Sequence, residues 1–571
     1  MSISKVILIN KTASVRKYGR TKWKKVETSL NALVAADKKR DVITVVIAID
    51  SKTQMNKFNG NPVTKVSSAQ QVKRAIDAIF RSLQPHYLMI LGAPDLIPHV
   101  KLRNPIAGHE TDEQIVPSDL PYACDAGYGL DIERFIGPTR VLGRLPDIVG
   151  QSDPTYLVKL LEVASEWKSG TQKSYLRYFG VSAKAWKGSS RKNVSRIFGT
   201  RKKLQLVPPK DPPWTKTQLK PLMHFINCHG ANYDSHFFGD GDGEVPEALW
   251  SNQLIGNVTR GSVVAAECCY GAQLYAPSSI EPNMGIANRY LGEASYGFFG
   301  STNVAWGSPD YVTLADKVCQ FFLLNVLNGS SLGRATLQAR QKFVNQEAPM
   351  GPHSLKTLAQ FTLLGDPSIH PVKLSKSEKE VVVADVDVSD KIVARAMPGV
   401  ELSSLFLKRG PSEEKVMTRS QRRRLLFRQG LSLVRKIATA KKEPIKAIRE
   451  TLGNQFKAVC QERGFHSVAD FTAYVVDEAL DHYKAKTEKE KARSSGGIRF
   501  LLAVENIFEK VESESRSVSG KVRNTTSSLL DAKNLIEGDF DQGTSKVVKR
   551  RMLVAIEKDG KIESYEEFHS R

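Results

Sequence analysis

Two stretches, Phe225-Ile226-Asn227-Cys228-His229-Gly230 and Val263-Val264-Ala265-Ala266-Glu267-Cys268-Cys269-Tyr270-Gly271-Ala272-Gln273, decide how this chain is read. Each is an apolar run closing on a reactive side chain. Short apolar runs of this kind read as strands buried on both faces, and a side chain at the end of one sits where a parallel sheet opens into its ligand-binding crevice. His229 and Cys269 are 40 positions apart, which leaves room for a strand, a crossover and the next parallel strand. The spacing predicts that the two side chains emerge next to one another.

A thiolate beside an imidazole is equipment for covalent acyl transfer: the sulfur attacks a carbonyl and the imidazole protonates the leaving amine. Gly230 lets a substrate carbonyl approach the backbone, so the amides of Gly230 and Cys269 are the expected oxyanion donors. Free cysteine is also among the most buried residue types, and either motif alone reads as ordinary core. The pair together reads as a catalytic dyad.

Four further segments follow in order. Leu88-Met89-Ile90-Leu91-Gly92-Ala93-Pro94-Asp95-Leu96-Ile97-Pro98 and Val141-Leu142-Gly143-Arg144-Leu145-Pro146 precede the dyad; Gly300-Ser301-Thr302-Asn303-Val304-Ala305-Trp306-Gly307-Ser308-Pro309 and Leu364-Gly365-Asp366-Pro367-Ser368 come after it. With these the chain resembles the gingipain-like cysteine peptidases (peptidase family C25) of the caspase/legumain clan over about residues 5–372. The resemblance implies an α/β fold, a caspase-like, gingipain-type parallel sheet sandwiched by helices. It implies Cys269 as nucleophile, since the lysine-specific branch uses the second cysteine of its pair; the Cys-x-x-Gly spacing of the arginine-specific branch would fit Cys268 instead. Trp306 is expected to wall the primary specificity pocket, with Asn227 and Cys268 lining it. Asp310, four positions after Trp306, is the candidate carboxylate for a basic P1 side chain, whose stem a tryptophan would pack.

The resemblance breaks in two places. Lys184 stands where the family's third, acidic residue is expected, so orientation of His229 falls to Asp234 or another carboxylate. The family's arginine-reading aspartate has no counterpart in Gly188-Ser189-Ser190-Arg191-Lys192-Asn193-Val194-Ser195.

At 571 residues and 41% hydrophobic content the chain is long enough for several cores. Strands alternating with helices predict an α/β subdomain over 1–145 and a catalytic subdomain over 146–372. A linker over 373–400 then leads to a basic, mainly helical module over 401–571. Its helices are read at Gln421–Ala440, from Glu443, at Ser467–Ala479 and at Ile498–Glu514, before a closing hairpin of Arg551–Ile556 and Lys561–Phe568. The formal net charge of +23 and clusters such as Arg422-Arg423-Arg424 and Lys549-Arg550-Arg551 raise nucleic acid as a partner. No DNA-binding motif accompanies them, and a protein partner or an autoregulatory role suits the module better.

Six scattered cysteines suggest reduced thiols, and adjacent Cys268 and Cys269 make poor zinc ligands, so no metal is expected at the dyad. No cofactor is expected either; calcium at Gly239-Asp240-Gly241-Asp242-Gly243-Glu244 is the minority reading of a Gly-Asp turn. Met1 to Asn10 reads as a first strand rather than a leader, and no apolar run is long enough to span a bilayer. The expected protein is a cytoplasmic cysteine endopeptidase that cleaves after a basic residue, restrained by its C-terminal module or a partner. The competing expectations are a catalytically silent scaffold, favoured by Lys184, and a nucleic-acid-associated regulator.

Overall fold

The computed structural model describes residues 3–106, 113–241, 245–278, 281–375, 441–443, 448, 450–465, 471–476, 498–508, 548–558 and 561–571. Its centre is a ten-stranded sheet in the order Thr44–Ala48, Lys5–Ile9, Tyr87–Leu91, Leu142–Leu145, Phe361–Gly365, Gly297–Ser301, Val263–Ala266, Met223–Asn227, Tyr178–Ala183, Leu204–Val207. Neighbours pair parallel except at one seam, where Phe361–Gly365 lies antiparallel to Gly297–Ser301. The sheet is thus two parallel halves running in opposite directions. Phe361–Gly365, grouped from sequence with the catalytic subdomain, lies in the N-terminal half.

The apolar runs form strands because both faces of the sheet are covered by helices, as all-parallel pairing requires. Alternate residues enter opposite layers. Val6, Leu8, Leu88, Ile90, Phe225, Val263 and Ala265 pack on one side, while Ile7, Ile9, Met89, Leu91, Ile226, Val264 and Ala266 pack on the other. Two of the recognisable segments owe their polar residues to buried ion pairs. Arg144 donates from Nε and Nη2 to Asp119 at 2.8 and 2.6 Å, and from Nη1 to the carbonyls of Gly92 and Ile97. Asp366 pairs with Lys5 of the first strand and accepts from the Ser368 amide and hydroxyl. A charge taken out of water needs such partners.

The C-terminal module corrects the sequence reading. Its described residues form an antiparallel sheet, not a helical bundle. The strands run in the order Lys561–Ser570, Val548–Lys558, Ile498–Phe508, Thr472–Val476, Lys441–Glu443, and the unit of the ten-stranded sheet contributes Trp306–Gly307 as the other edge. Glu450–Glu462 is the one helix among the described residues of the module. The closing hairpin is present; among the described residues, the stretches read as helices at Ser467–Ala479 and Ile498–Glu514 hold the strands Thr472–Val476 and Ile498–Phe508, and Gln421–Ala440 lies outside the described residues.

The cause is burial on both faces. Phe500, Leu502, Met552, Val554 and Phe568 share a core with Val304, Ala305 and Trp306 of the ten-stranded unit. Leu501, Ala503, Leu553 and Ala555 face Phe456 and Cys460 of the helix. Apolar side chains are needed on both sides, so the alternation that marks a half-exposed strand disappears and the run looks helical. No helix of the described residues is long and apolar enough to cross a membrane.

Candidate active site

Met223–Asn227 and Val263–Ala266 are adjacent parallel strands whose register pairs Met223 with Val263 and Ile226 with Ala266. That offset equals the separation of His229 and Cys269 in sequence, so both residues leave the sheet at the same level. Contact there is close: a Cβ at Gly230 would fall 1.9 Å from the Cys269 carbonyl oxygen, so only glycine is accommodated. Tyr270 turns the chain with a φ of 55°, a left-handed conformation that is costly for a tyrosine. Its amide bonds to the Asn303 carbonyl at 3.0 Å and holds the turn.

The two cysteines diverge. Cys268 packs in the layer of Cys228 and Ile226, and its Sγ accepts from the Cys228 amide at 3.4 Å. Cys269 packs in the opposite layer with Ala305 and Trp306, where the Ala305 amide donates to its Sγ at 3.3 Å. Burial pushes the Cys269 thiol up to about 12, against a lowering from the Ala305 amide.

His229 has a carboxylate partner that the sequence reading did not name. Its Nε2 lies 2.9 Å from Asp240 Oδ2, and its ring stands edge-on to Trp186 at 4.4 Å between centroids. Burial raises the Asp240 carboxyl, but hydrogen bonds from His229 and Lys549 outweigh it and leave it below the usual carboxylate range. Asp234, the carboxylate suggested from sequence, instead pairs with His236 at 2.8 Å. Lys184 packs its stem beside Gly241, next to the loop that delivers Asp240.

The strand Lys561–Ser570 of the same chain lies against these residues. The strand Lys561–Ser570 pairs antiparallel with Trp306–Gly307, matching Ser570 to Trp306 and His569 to Gly307. Arg571 continues it, donating its amide to the Ala305 carbonyl at 3.0 Å, while its own carbonyl oxygen accepts from the Cys269 amide at 2.8 Å. Its guanidinium enters a closed pocket. Nη1 lies 2.6 Å from Glu267 Oε2 and 3.1 Å from Asp316 Oδ1; Nη2 lies 2.6 Å from Asp316 Oδ2 and 3.2 Å from the Ser308 carbonyl. The Trp186 ring stands 5.4 Å from the guanidinium carbon. A Cβ at Gly307 would fall 2.0 Å from Nη2, so glycine there is what leaves the pocket open.

The pocket walls come from elements already required by the fold. Glu267 ends the strand Val263–Ala266, and Asp316 sits in the first turn of the helix Leu314–Leu327, in a capping box with Thr313. Asn193, on the helix Lys187–Phe198, donates to Glu267 Oε1 at 2.7 Å and to the Asp316 carbonyl at 3.2 Å, and is held by Gln320. Glu267, Asp316 and Arg571 are all fully buried. Burial and the neighbouring Asp316 raise the Glu267 carboxyl well above its usual range despite Arg571.

The residues expected to line the pocket are distributed differently. Trp306 is buried and contributes its backbone to the strand pairing; the tryptophan over the guanidinium is Trp186. Asp310 is a correction: it is exposed, its carbonyl accepts from Lys192, and the pocket carboxylates are Glu267 and Asp316. The reason is that Ser308-Pro309-Asp310 turns outward around Ser308, whose Oγ accepts from the Asp310 and Tyr311 amides. Asn227 donates to Ser190 Oγ at 2.8 Å, and Cys268 faces away from the guanidinium, in the opposite layer from Cys269. One described group, Asp234, His236 and Glu281, offers donor atoms within 4.8 Å of one another that could take a cation. In the Gly-Asp loop, Asp240 spends its oxygens on His229 and Lys549, and residues 242–244 lie outside the described ones.

The model of peptidase family C25 matches residues 21–372. The chain belongs to peptidase family C25. No curated protein sequence matches it. Among solved structures it is similar to the Arg-specific cysteine proteinase gingipain R, RgpB, at 13% identity and TM-score 0.42, covering 65% of this chain and 78% of that one. A complex of the Porphyromonas gingivalis RgpB pro- and mature domains matches at the same identity and TM-score, over 65% of this chain and 80% of that one. The Saccharomyces cerevisiae separase–securin complex matches at 14% identity and TM-score 0.24, over 42% of this chain and 15% of that one. In this C25 chain, Cys269 meets Arg571 through its amide, and Gly230, the residue after His229, lies against the Cys269 carbonyl.

Proposed function

We propose that this C25 peptidase is a cysteine endopeptidase that cleaves polypeptides after arginine, with Cys269 as nucleophile, His229 as acid and base, and Asp240 orienting the imidazole. The single observation that carries the reading is the seat of Arg571: guanidinium between Glu267 and Asp316, carbonyl oxygen on the Cys269 amide. That is how a P1 residue presents its carbonyl carbon to a nucleophile. Two carboxylates spanning both Nη atoms suit the planar fork of arginine, whereas the point charge of lysine cannot bridge them in the same way.

In this mechanism His229 takes the Cys269 thiol proton as the sulfur bonds to the P1 carbonyl carbon, and the carbonyl π electrons move to oxygen, which the Cys269 and Gly230 amides stabilise. The tetrahedral intermediate collapses as the C–N bond breaks, and protonated His229 gives its proton to the leaving amine. Water then attacks the thioester while His229 takes a proton, releasing the new carboxylate and the thiol. With Nε2 held by Asp240, Nδ1 is the nitrogen that exchanges these protons.

A fluorogenic panel with Arg, Lys, Leu or Asp at P1 tests the reading on the full chain and on Arg571→Ala, in which the pocket is vacated. Turnover should favour Arg over Lys by at least about tenfold. It should disappear in Cys269→Ala and persist in Cys268→Ala. Preference for Lys or a neutral residue, or turnover that survives Cys269→Ala, overturns it.

A further inference from the structure

We infer that the strand Lys561–Ser570 with Arg571 is an in-cis ligand of the substrate cleft, a built-in pseudosubstrate that holds this C25 peptidase closed until the C-terminal module is displaced. This rests on the arginine reading above and adds the identity of what fills the site at rest.

Occupancy is complete on the acyl side of the cleft. Ser570 and His569 take the backbone edge of Trp306 and Gly307, and Arg571 takes Glu267, Asp316 and the Cys269 amide. Cys269 is only 4% exposed beneath them, and burial favours its protonated, unreactive form. A substrate arginine cannot enter while Arg571 is seated.

The strand is held by the module as a whole. It pairs along its length with Val548–Lys558, which pairs in turn with Ile498–Phe508. Phe568 stacks on His353 of the catalytic unit at 5.2 Å, and Phe500 meets the same ring edge-on at 6.1 Å. Lys549 reaches across to Asp240 Oδ1 at 2.7 Å, so the module also touches the carboxylate that orients His229. A tethered ligand acts at an effective concentration in the millimolar range, ahead of substrates present at micromolar levels.

Two features keep the grip reversible. Arg571 Nε is buried without a partner, and the pocket sets two carboxylates against one guanidinium. Both carry desolvation cost that release recovers.

The test compares the full chain with full-length Arg571→Ala on an arginyl fluorogenic peptide. The variant should show kcat/KM at least about tenfold above the parent. A synthetic peptide of residues 561–571 should inhibit the variant competitively, and the same peptide ending in alanine should not. Arg571→Lys supplies a second variant: it keeps a charge but loses the fork, so it should release activity in the same direction by less. Equal turnover in parent and both variants, all cleaving after arginine, overturns the pseudosubstrate and leaves the peptidase reading standing. Absence of turnover in all three overturns the peptidase reading, and the restraint with it.

Discussion

The ten-stranded sheet and the C-terminal sheet meet at Arg571 and differ in what holds their key residues. In the first, the decisive residues are reactive or charged groups at strand ends, Cys269, His229 and Glu267, each held by a specific neighbour. In the second, the decisive property is shape: an edge strand long enough to lie along Trp306–Gly307 and an arginine at its end. Chemistry demands particular atoms, whereas occupancy demands an extended backbone and one side chain. Substitutions in the catalytic sheet should therefore destroy turnover, and those in the module should release it.

The largest expected effect breaks the symmetry between Arg571 and its pocket. In the Arg571→Ala background, Asp316→Asn removes the anionic side that contacts both Nη atoms. A charge-assisted hydrogen bond is worth about 1.5–3 kcal/mol, so kcat/KM for arginyl substrates should fall by roughly ten- to a hundredfold, and far less for a neutral P1. Asp310→Ala should leave the preference for arginine unchanged. An equal fall for arginyl and neutral substrates would make Asp316 a structural residue, and a loss in Asp310→Ala would return the specificity to the exposed turn.

The next effect contrasts the two groups on Asp240. Asp240→Asn keeps the shape and removes the charge that hydrogen-bonds His229, so kcat should fall by about tenfold. Lys549→Ala, on the module side of the same carboxylate, should act in the opposite direction and raise the activity of the intact chain by about twofold, because the half-buried ion pair it loses is a weak one. Parallel losses in the two variants would place Lys549 in the catalytic apparatus.

A third effect, read by mass rather than rate, sharpens the position of Arg571. A chain carrying further residues after Arg571 should be cleaved at that residue, and stay intact in Cys269→Ala. Retention of those residues in the parent would mean that Arg571 binds without presenting its carbonyl for attack.

Much of the catalytic sheet was legible because parallel strands buried on both faces are written as apolar runs, and because buried charges such as Arg144 and Asp366 fix their neighbours. That His229 and Cys269 follow adjacent strands was legible for the same reason: their spacing is the sheet register itself. Asp240 was hidden among glycines that read as a solvated turn. Glu267 was visible as the lone charge within Val263–Ala272, yet its neighbours Cys268 and Cys269 drew the chemical reading away from it. Asp316 was concealed by a second role, since a capping carboxylate after Thr313 accounts for itself. Arg571 could not be read at all, because nothing local says which cleft a distant strand will fill. The module was misread where two-sided burial at Phe500-Leu501-Leu502-Ala503 erased the polar alternation of a strand.

A last effect separates the sheets by acid. His224, in the strand Met223–Asn227, is fully buried, 2.9 Å from the Tyr290 hydroxyl and within 3.1 Å of the Leu219 and Pro221 carbonyls. Burial pulls its pKa down from 6.5 to about 4, with those carbonyls offsetting only part of the shift. The unfolded chain therefore takes up a proton that the folded chain refuses as pH falls from 6.5 toward 4, and stability is lost across that window. At 1.36 kcal/mol per pK unit the loss is about 3 kcal/mol. Denaturant unfolding at pH 7 and pH 4.5 should show the decline, and His224→Gln, which cannot take up the proton, should reduce it. A decline of the same size in His224→Gln would assign the acid lability to other groups and remove this distinction between the catalytic sheet and the module.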